Sequence, residues 1–196
     1  MWSGLEILTI VVATVSGIST FRSAVIARDA LARAKAAHET ALSALRFQVL
    51  TPALFEYRSP EMLLAIREVW DFARTHSTGL AEAYQARWKS DRETLIGLSG
   101  QKRLDHLRST LDFQRRQVSH FYSFLCAVYD EQGALRKWIY TNWGKHDLAI
   151  IPEAIIPMEN ALSKSTGVPV FSPTLERLQK LYDDCPTFHK EPKGSI

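Results

Sequence analysis

The sequence predicts an all-α protein: an N-terminal transmembrane helix continuing into a stalk helix, then an antiparallel helical bundle. Three observations predict it. Residues 1–21 form an apolar leader with one charge, Glu6. The chain behind it carries apolar residues spaced three and four apart, the period of a helix packed on one face. No segment sustains the alternation of a strand, and the one extended-looking piece is Val168 to Phe171. The layout gives an anchor (1–21), a juxtamembrane stalk (22–50), a bundle (51–185) and a flexible tail (186–196).

A helix over residues 1–21 is about 30 Å long, enough to cross the hydrocarbon core of a bilayer. Thr9, Thr14, Ser16, Gly17, Ser19 and Thr20 interrupt its apolar set. Hydroxyls can bond back to carbonyls one turn earlier, and Glu6 is close enough to the end to reach the interface, where Trp2 also fits. Behind the segment come Arg22, Arg28, Arg33 and Lys35 against Asp29, and ahead of it there is no Lys or Arg. The positive-inside rule then puts the N-terminus outside and the C-terminal body in the cytoplasm, as a single-pass protein. The same four cations are placed to meet anionic membrane lipid. A cleaved secretory signal would carry its charges on the other flank; an apolar helix packed in a soluble core is a further alternative. Thr9, Ala13 and Gly17 recur one turn apart, a stripe that lets two helices approach closely, so a homo-oligomer through this face is one expectation. The other is an anchor that simply contains small residues.

The stalk, rich in Ala, Arg and Leu and free of Gly and Pro up to Leu50, reads as a continuation of the same helix. Leu31, His38 and Leu45, with Lys35, Leu42 and Val49, make an imperfect heptad seam, packed on its own domain or paired in a coiled coil. Thr51 before Pro52 and Ser59 before Pro60 each read as a hydroxyl cap with proline at the first helical position. The second opens a helix with Leu63, Ile66, Val69, Trp70 and Ala73 on one face. Gly79 separates it from a helix through Tyr84, Trp88 and Leu95, which Ser99 and Gly100 end. Leu104, Leu107, Leu111, Gln114, Val118, Phe121, Leu125 and Val128 then predict one long central helix ending at Gly133, only Gln114 being out of character. Pro152 and Pro157, in the echoed pentads 149–153 and 154–158, predict a kinked or two-piece helix, since an interior proline costs about 3 kcal/mol. That helix ends near Gly167, and Ser172 and Pro173 cap a last one through Leu175, Leu178, Leu181 and Tyr182.

With 24 basic and 21 acidic residues the net charge is +3, too slight for a nucleic-acid field, and no nucleic-acid partner is expected. Cys126 and Cys185 are too few for a disulfide framework or a four-cysteine zinc site, and Cys126 reads as a packing residue. There is no glycine-rich phosphate loop, nucleophile elbow or metal spacing, so no catalytic residue, metal or cofactor is assigned. The six histidines are scattered.

Two constellations remain. Trp138, Tyr140, Trp143, His146, Asp147 and Glu153, with Glu159 beyond, place aromatics beside proton-carrying groups and a proline-broken backbone, a candidate binding site. The structural alternative has the tryptophans plug the bundle end, Asp147 cap the next helix and His146 face solvent. The second constellation is basic: Arg87, Lys89, Arg92, Lys102, Arg103, Arg108, Arg115 and Arg116, with Asp91, Glu93, Asp105 and Asp112 interleaved. It reads as a solvated, salt-bridged face, with lipid or protein contact as the alternative; aromatics suited to base stacking do not recur beside it.

Ser59-Pro60 opening a helix, Val118 to Phe121, Gly133, Trp143-Gly144, Pro157 to Glu159 and Leu181-Tyr182 resemble a family of small bacterial, N-terminally membrane-anchored helical proteins of unknown function. The resemblance implies an inner-membrane protein with an arginine-rich stalk and a helical body, and supplies no catalytic residues. Three function classes follow: a membrane-anchored protein acting on an unknown protein partner or by self-assembly, an enzyme or small-molecule sensor using Trp138 to Glu153, and a membrane-acting effector of a defence or toxin system.

Overall fold

The computed structural model describes residues 4–131, 133–167 and 172–187, without the side chains of 4–21 and 172. Every regular element in it is helical. Contacts divide the chain into two units, Met1–Thr51 and Pro52–Ile196.

The first unit is the leading part of α1 (Gly4–Tyr57), a helix of 54 residues. Arg22, Arg28, Arg33 and Lys35 are exposed on it, as are Val25, Ile26 and Leu31. In the heptad seam Leu31, Lys35 and His38 are exposed among the described residues, while Leu42, Leu45 and Val49 are half-buried. Among the residues whose side chains are described, no helix is long and apolar enough to cross a membrane. The predicted anchor 1–21, with its stripe Thr9, Ala13 and Gly17, lies outside them. Thr51 and Pro52 do not open a helix as predicted, because α1 runs through them to Tyr57. Pro52 is on the exposed side, where water can meet the carbonyl that loses its amide partner.

The second unit begins with the end of α1 and continues through α2 (Pro60–Thr75), α3 (Leu80–Ile96), α4 (Gly100–Ser109) and α5 (Leu111–Glu131). Ser59 caps α2 as its sequence predicts: in extended conformation, it accepts from the Met62 amide at 3.2 Å, and Pro60 occupies the first turn. The buried face of α2 is Met62, Ala65, Val69 and Ala73: Val69 and Ala73 are buried as predicted, Ile66 and Trp70 are half-buried, and Leu63 is exposed, Met62 and Ala65 taking the core side in the first turns.

The predicted long central helix is in fact two. Thr110 takes extended backbone (φ −74°, ψ 145°) and its hydroxyl accepts from the Phe113 amide at 3.3 Å, an N-cap that starts α5 afresh. Ser99 and Gly100 accordingly open α4 rather than end α3, which stops at Gly97. Leu104 and Leu107 lie on α4 and are exposed, while α5 keeps Val118, Phe121, Leu125 and Val128 in the core.

After a 3₁₀ turn (Gly133–Leu135) come α6 (Arg136–Asn142) and α7 (Lys145–Leu148), then a π-turn (Ile151–Ile155) that passes straight into α8 (Ile156–Thr166). Pro152 lies in the first turn of this stretch, where a missing N–H does little harm, whereas Pro157 lies inside the continuous helix and follows directly on the π-turn, in which the Ile156 amide reaches back five residues to the Ile151 carbonyl. Of the two expected outcomes, a kinked or a two-piece helix, the chain takes a single helix with an altered turn. Gly167, with φ 68°, closes α8 in the left-handed conformation that only glycine adopts cheaply. Last comes α9 (Ser172–Asp183), with Leu178 and Leu181 buried. The extended piece 168–171 and most of the predicted tail, 188–196, lie outside the described residues.

The main pairings join elements distant in sequence: α2 with α5, α3 with α8, and α5 with α9. Short connections predict antiparallel packing of sequential neighbours, whereas these larger pairings skip along the chain. α9 is fastened by Arg177 to Asp130 at 2.6 Å, by the Tyr129 hydroxyl to Asp184 at 2.6 Å and by the Tyr140 hydroxyl to the Leu181 carbonyl at 3.1 Å. Both cysteines are buried and free. Burial pushes the Cys126 thiol up to about 12, although Arg177 nearby pulls the other way. At pH 8 neither thiol is expected to react with an aromatic disulfide reagent in the folded protein, whereas denaturant should release both; rapid reaction of the native chain would contradict this burial.

Candidate ligand cleft

The six aromatic and proton-carrying residues singled out in sequence do not share one pocket. Trp143 is fully buried, its ring centroid 5.8 Å from those of Tyr57 and Phe121. Tyr140 is also core, stacked 5.7 Å from Tyr129. Trp138 is half-buried and His146 exposed. Asp147 accepts from the Gly144 amide at 3.1 Å, capping α7, while its backbone carbonyl accepts from the Tyr122 hydroxyl at 2.9 Å. Glu153 points away to a shallow groove of about 270 Å³ beside Trp70 and Arg74 of α2. Among the described residues no group of three His, Cys, Asp or Glu could hold a metal ion.

The basic constellation, by contrast, is divided into two structures. One is a buried lock. Arg115, only 2% exposed, donates through Nε to the Tyr84 hydroxyl at 2.8 Å, through Nη2 to Asp112 at 2.9 Å and through Nη1 to Glu159. Tyr84 in turn donates to Asp112 at 2.7 Å, and Ser119 donates to Glu159 at 3.2 Å. One guanidinium thus ties α3, α5 and α8 together. Arg115, expected on a solvated face, is instead buried at the junction of three helices. The usable signal was the stripe Leu111, Val118, Tyr122, Leu125 and Tyr129, in which 115 is the missing core position, with Asp112 one turn before it.

Burial alone would raise the Asp112 carboxyl, but Arg115, the Tyr84 hydroxyl and Arg116 outweigh it and hold it below its usual range. A carboxyl depressed on folding stabilises fully above its unfolded value, near pH 4, and loses that contribution as pH falls through the folded value. The melting temperature is therefore expected to drop below about pH 4, and Asp112→Asn should flatten that drop while lowering stability at pH 7. Parallel acid profiles for the two proteins would contradict the assignment.

The second structure is a cleft of about 310 Å³ between α3, α4 and α5. Its apolar wall is Trp88, Leu95, Ile96 and Leu107, and its polar groups are Asp91, Asp112 and the guanidiniums of Arg92, Arg103 and Arg116, one from each helix. The carboxylates are already matched: Asp91 with Arg87 at 3.0 Å, Asp112 with Arg115 and with Arg116 at 3.0 Å. Arg92 stacks its face over Trp88 at 4.7 Å, leaving its N–H edge open. Among the described residues neither Arg92 nor Arg103 has an ion-pair partner. Asp91 Oδ2, on the cleft lining, and His106 Nε2, on α4 but not part of that lining, are buried without a hydrogen-bond partner among the described residues. α4 contributes no buried residue. This corner is the least satisfied part of the body, whereas the lock behind it is nearly complete.

Comparison of the chain with protein-family models, with curated proteins and with solved structures finds no match.

Proposed function

We propose that the chain is a membrane-tethered binding protein whose helical body takes an anion in the α3–α4–α5 cleft. The observation that carries this is the convergence of Arg92 and Arg103, cations without ion-pair partners, on one concave site with an apolar wall. Guanidiniums left open in a cleft recognise carboxylate or phosphate through charge-assisted hydrogen bonds. At about 310 Å³ the site suits a small group rather than an extended substrate. Tethering is supported by the apolar leader 1–21, by the continuous α1 helix and by the exposed Arg22, Arg28, Arg33 and Lys35 behind the leader, which orient the body toward the cytoplasmic side of the inner membrane.

Two measurements test the proposal. Phosphate at about ten times its dissociation constant should stabilise the full chain by about 1.4 kcal/mol relative to chloride at equal ionic strength. Arg92→Gln combined with Arg103→Gln should remove that effect; a phosphate effect that survives both changes sinks the cleft assignment. Carbonate washing should leave the chain in the membrane fraction, and its release would end the tether.

Self-association is a second reading, favoured by the uncovered Val25, Ile26 and Leu31 on the stalk. Sedimentation in detergent should show a multimer that Leu31→Lys dissociates.

A further inference from the structure

We infer that the anion taken by the cleft is the phosphate of an anionic lipid headgroup, and that the α3–α4 corner docks on the face of a bilayer. This rests on the anion-binding reading above and names its ligand. The cleft does not end at its guanidiniums. Ile96, on its wall, is 86% exposed, and Leu107 beside it is 41% exposed; Leu104, one turn earlier on α4, is 49% exposed. Lys102 and Arg108 flank those leucines and are exposed as well.

Apolar side chains held in water next to open cations are the composition of an interfacial contact: the cations take phosphates while the apolar groups enter the acyl boundary. A soluble anion would account for Arg92 and Arg103 but leave Ile96 and Leu104 in water with nothing to meet. The charge of the corner also selects the surface. Arg87, Arg115 and Arg116 match Asp91, Asp112 and Glu159, and on the flanks Lys102 and Arg108 balance the exposed Glu93 and Asp105, so the charge left to the ligand is that of Arg92 and Arg103, which an anionic bilayer complements and a neutral one does not.

The test uses the full chain carrying Ile96→Cys, labelled with an environment-sensitive fluorophore. Cys126 and Cys185, both buried, stay unlabelled. The protein is reconstituted into vesicles of phosphatidylcholine alone, or of phosphatidylcholine with a third of phosphatidylglycerol. The anchor is common to both, and the stalk cations Arg22, Arg28, Arg33 and Lys35 are unchanged in the Arg92→Gln, Arg103→Gln variant, so the emission difference that this variant loses is the part due to the corner. Emission should be blue-shifted and brighter on the anionic vesicles and return to the aqueous value in high salt.

Each cation near a charged surface is worth about fivefold, so Arg92→Gln with Arg103→Gln should weaken docking about 30-fold. Leu104→Ser and Leu107→Ser together, at exposed side chains, should reduce the emission change of the labelled full chain on the anionic vesicles. Equal emission on both vesicle types overturns lipid docking. So does tight binding of glycerol 3-phosphate that the double serine variant leaves unchanged, an outcome that keeps the anion-binding reading intact. Saturation of the cleft by an acidic peptide in preference to anionic vesicles overturns it as well.

Discussion

Arg115→Ala is expected to lower the stability of the body by about 3–5 kcal/mol, the usual loss when one partner of a buried ion pair is removed. The lost attraction is only part of it. Glu159 would be left as a half-buried carboxylate without its cation, Asp112 with Arg116 alone, and the Tyr84 hydroxyl without the donor that orients it. Thermal unfolding should move down by roughly 6–20 °C for a unit of this size. Arg115→Lys should fail almost as badly, since a single ammonium cannot serve three acceptors on separate helices in the planar fork they are arranged for. Adding Asp112→Asn and Glu159→Gln to an Arg115→Met chain should recover much of the loss, because no uncompensated charge then remains. A change below 1 kcal/mol for Arg115→Ala would show that the network is worth no more than a surface pair.

Trp143→Ala is expected to cost a comparable amount, about 3–5 kcal/mol, by opening a cavity where Tyr57 and Phe121 meet. Trp143→Phe should cost far less. It keeps an aromatic ring in the cluster and deletes the indole Nε1–H, which is buried without a hydrogen-bond partner among the described residues. His146→Ala, at an exposed position, should stay within about 0.5 kcal/mol of the parent. Chemical denaturation of the three variants settles the point. If His146→Ala destabilised as much as Trp143→Ala, the description of this end of the body as aromatic packing would be wrong.

Features that act within one turn of chain were readable in advance. Ser59 and Pro60 open α2, Gly167 closes α8, and Pro152 with Pro157 enforce an altered turn, because each imposes its conformation through its own backbone chemistry. Thr110 was equally local and was overridden by periodicity: leucines at 104, 107 and 111 look continuous although a hydroxyl cap interrupts them. The face of α2 was misjudged in its first turns because Leu63 and Leu64 are apolar yet exposed, and period alone cannot say which of two adjacent apolar stripes the fold covers. Arg115 and the cleft were legible only as residue types. Whether an arginine is spent on a buried lock or left open in a groove depends on which helix arrives beside it, and α8 is more than forty residues away along the chain. The same holds for Trp138 to Glu153, a cluster in sequence that the fold distributes between the core, the surface and a groove on α2.

The sealed thiols have a consequence for how the body meets its surroundings. Cys126 is buried on α5, which packs against α9, and Cys185, also buried, lies two residues past the end of α9, so release of that helix is expected to uncover both. A shift from reducing to oxidising conditions should pass this protein by. Any modification that does accumulate then acts as a clock for how often its last helix lets go.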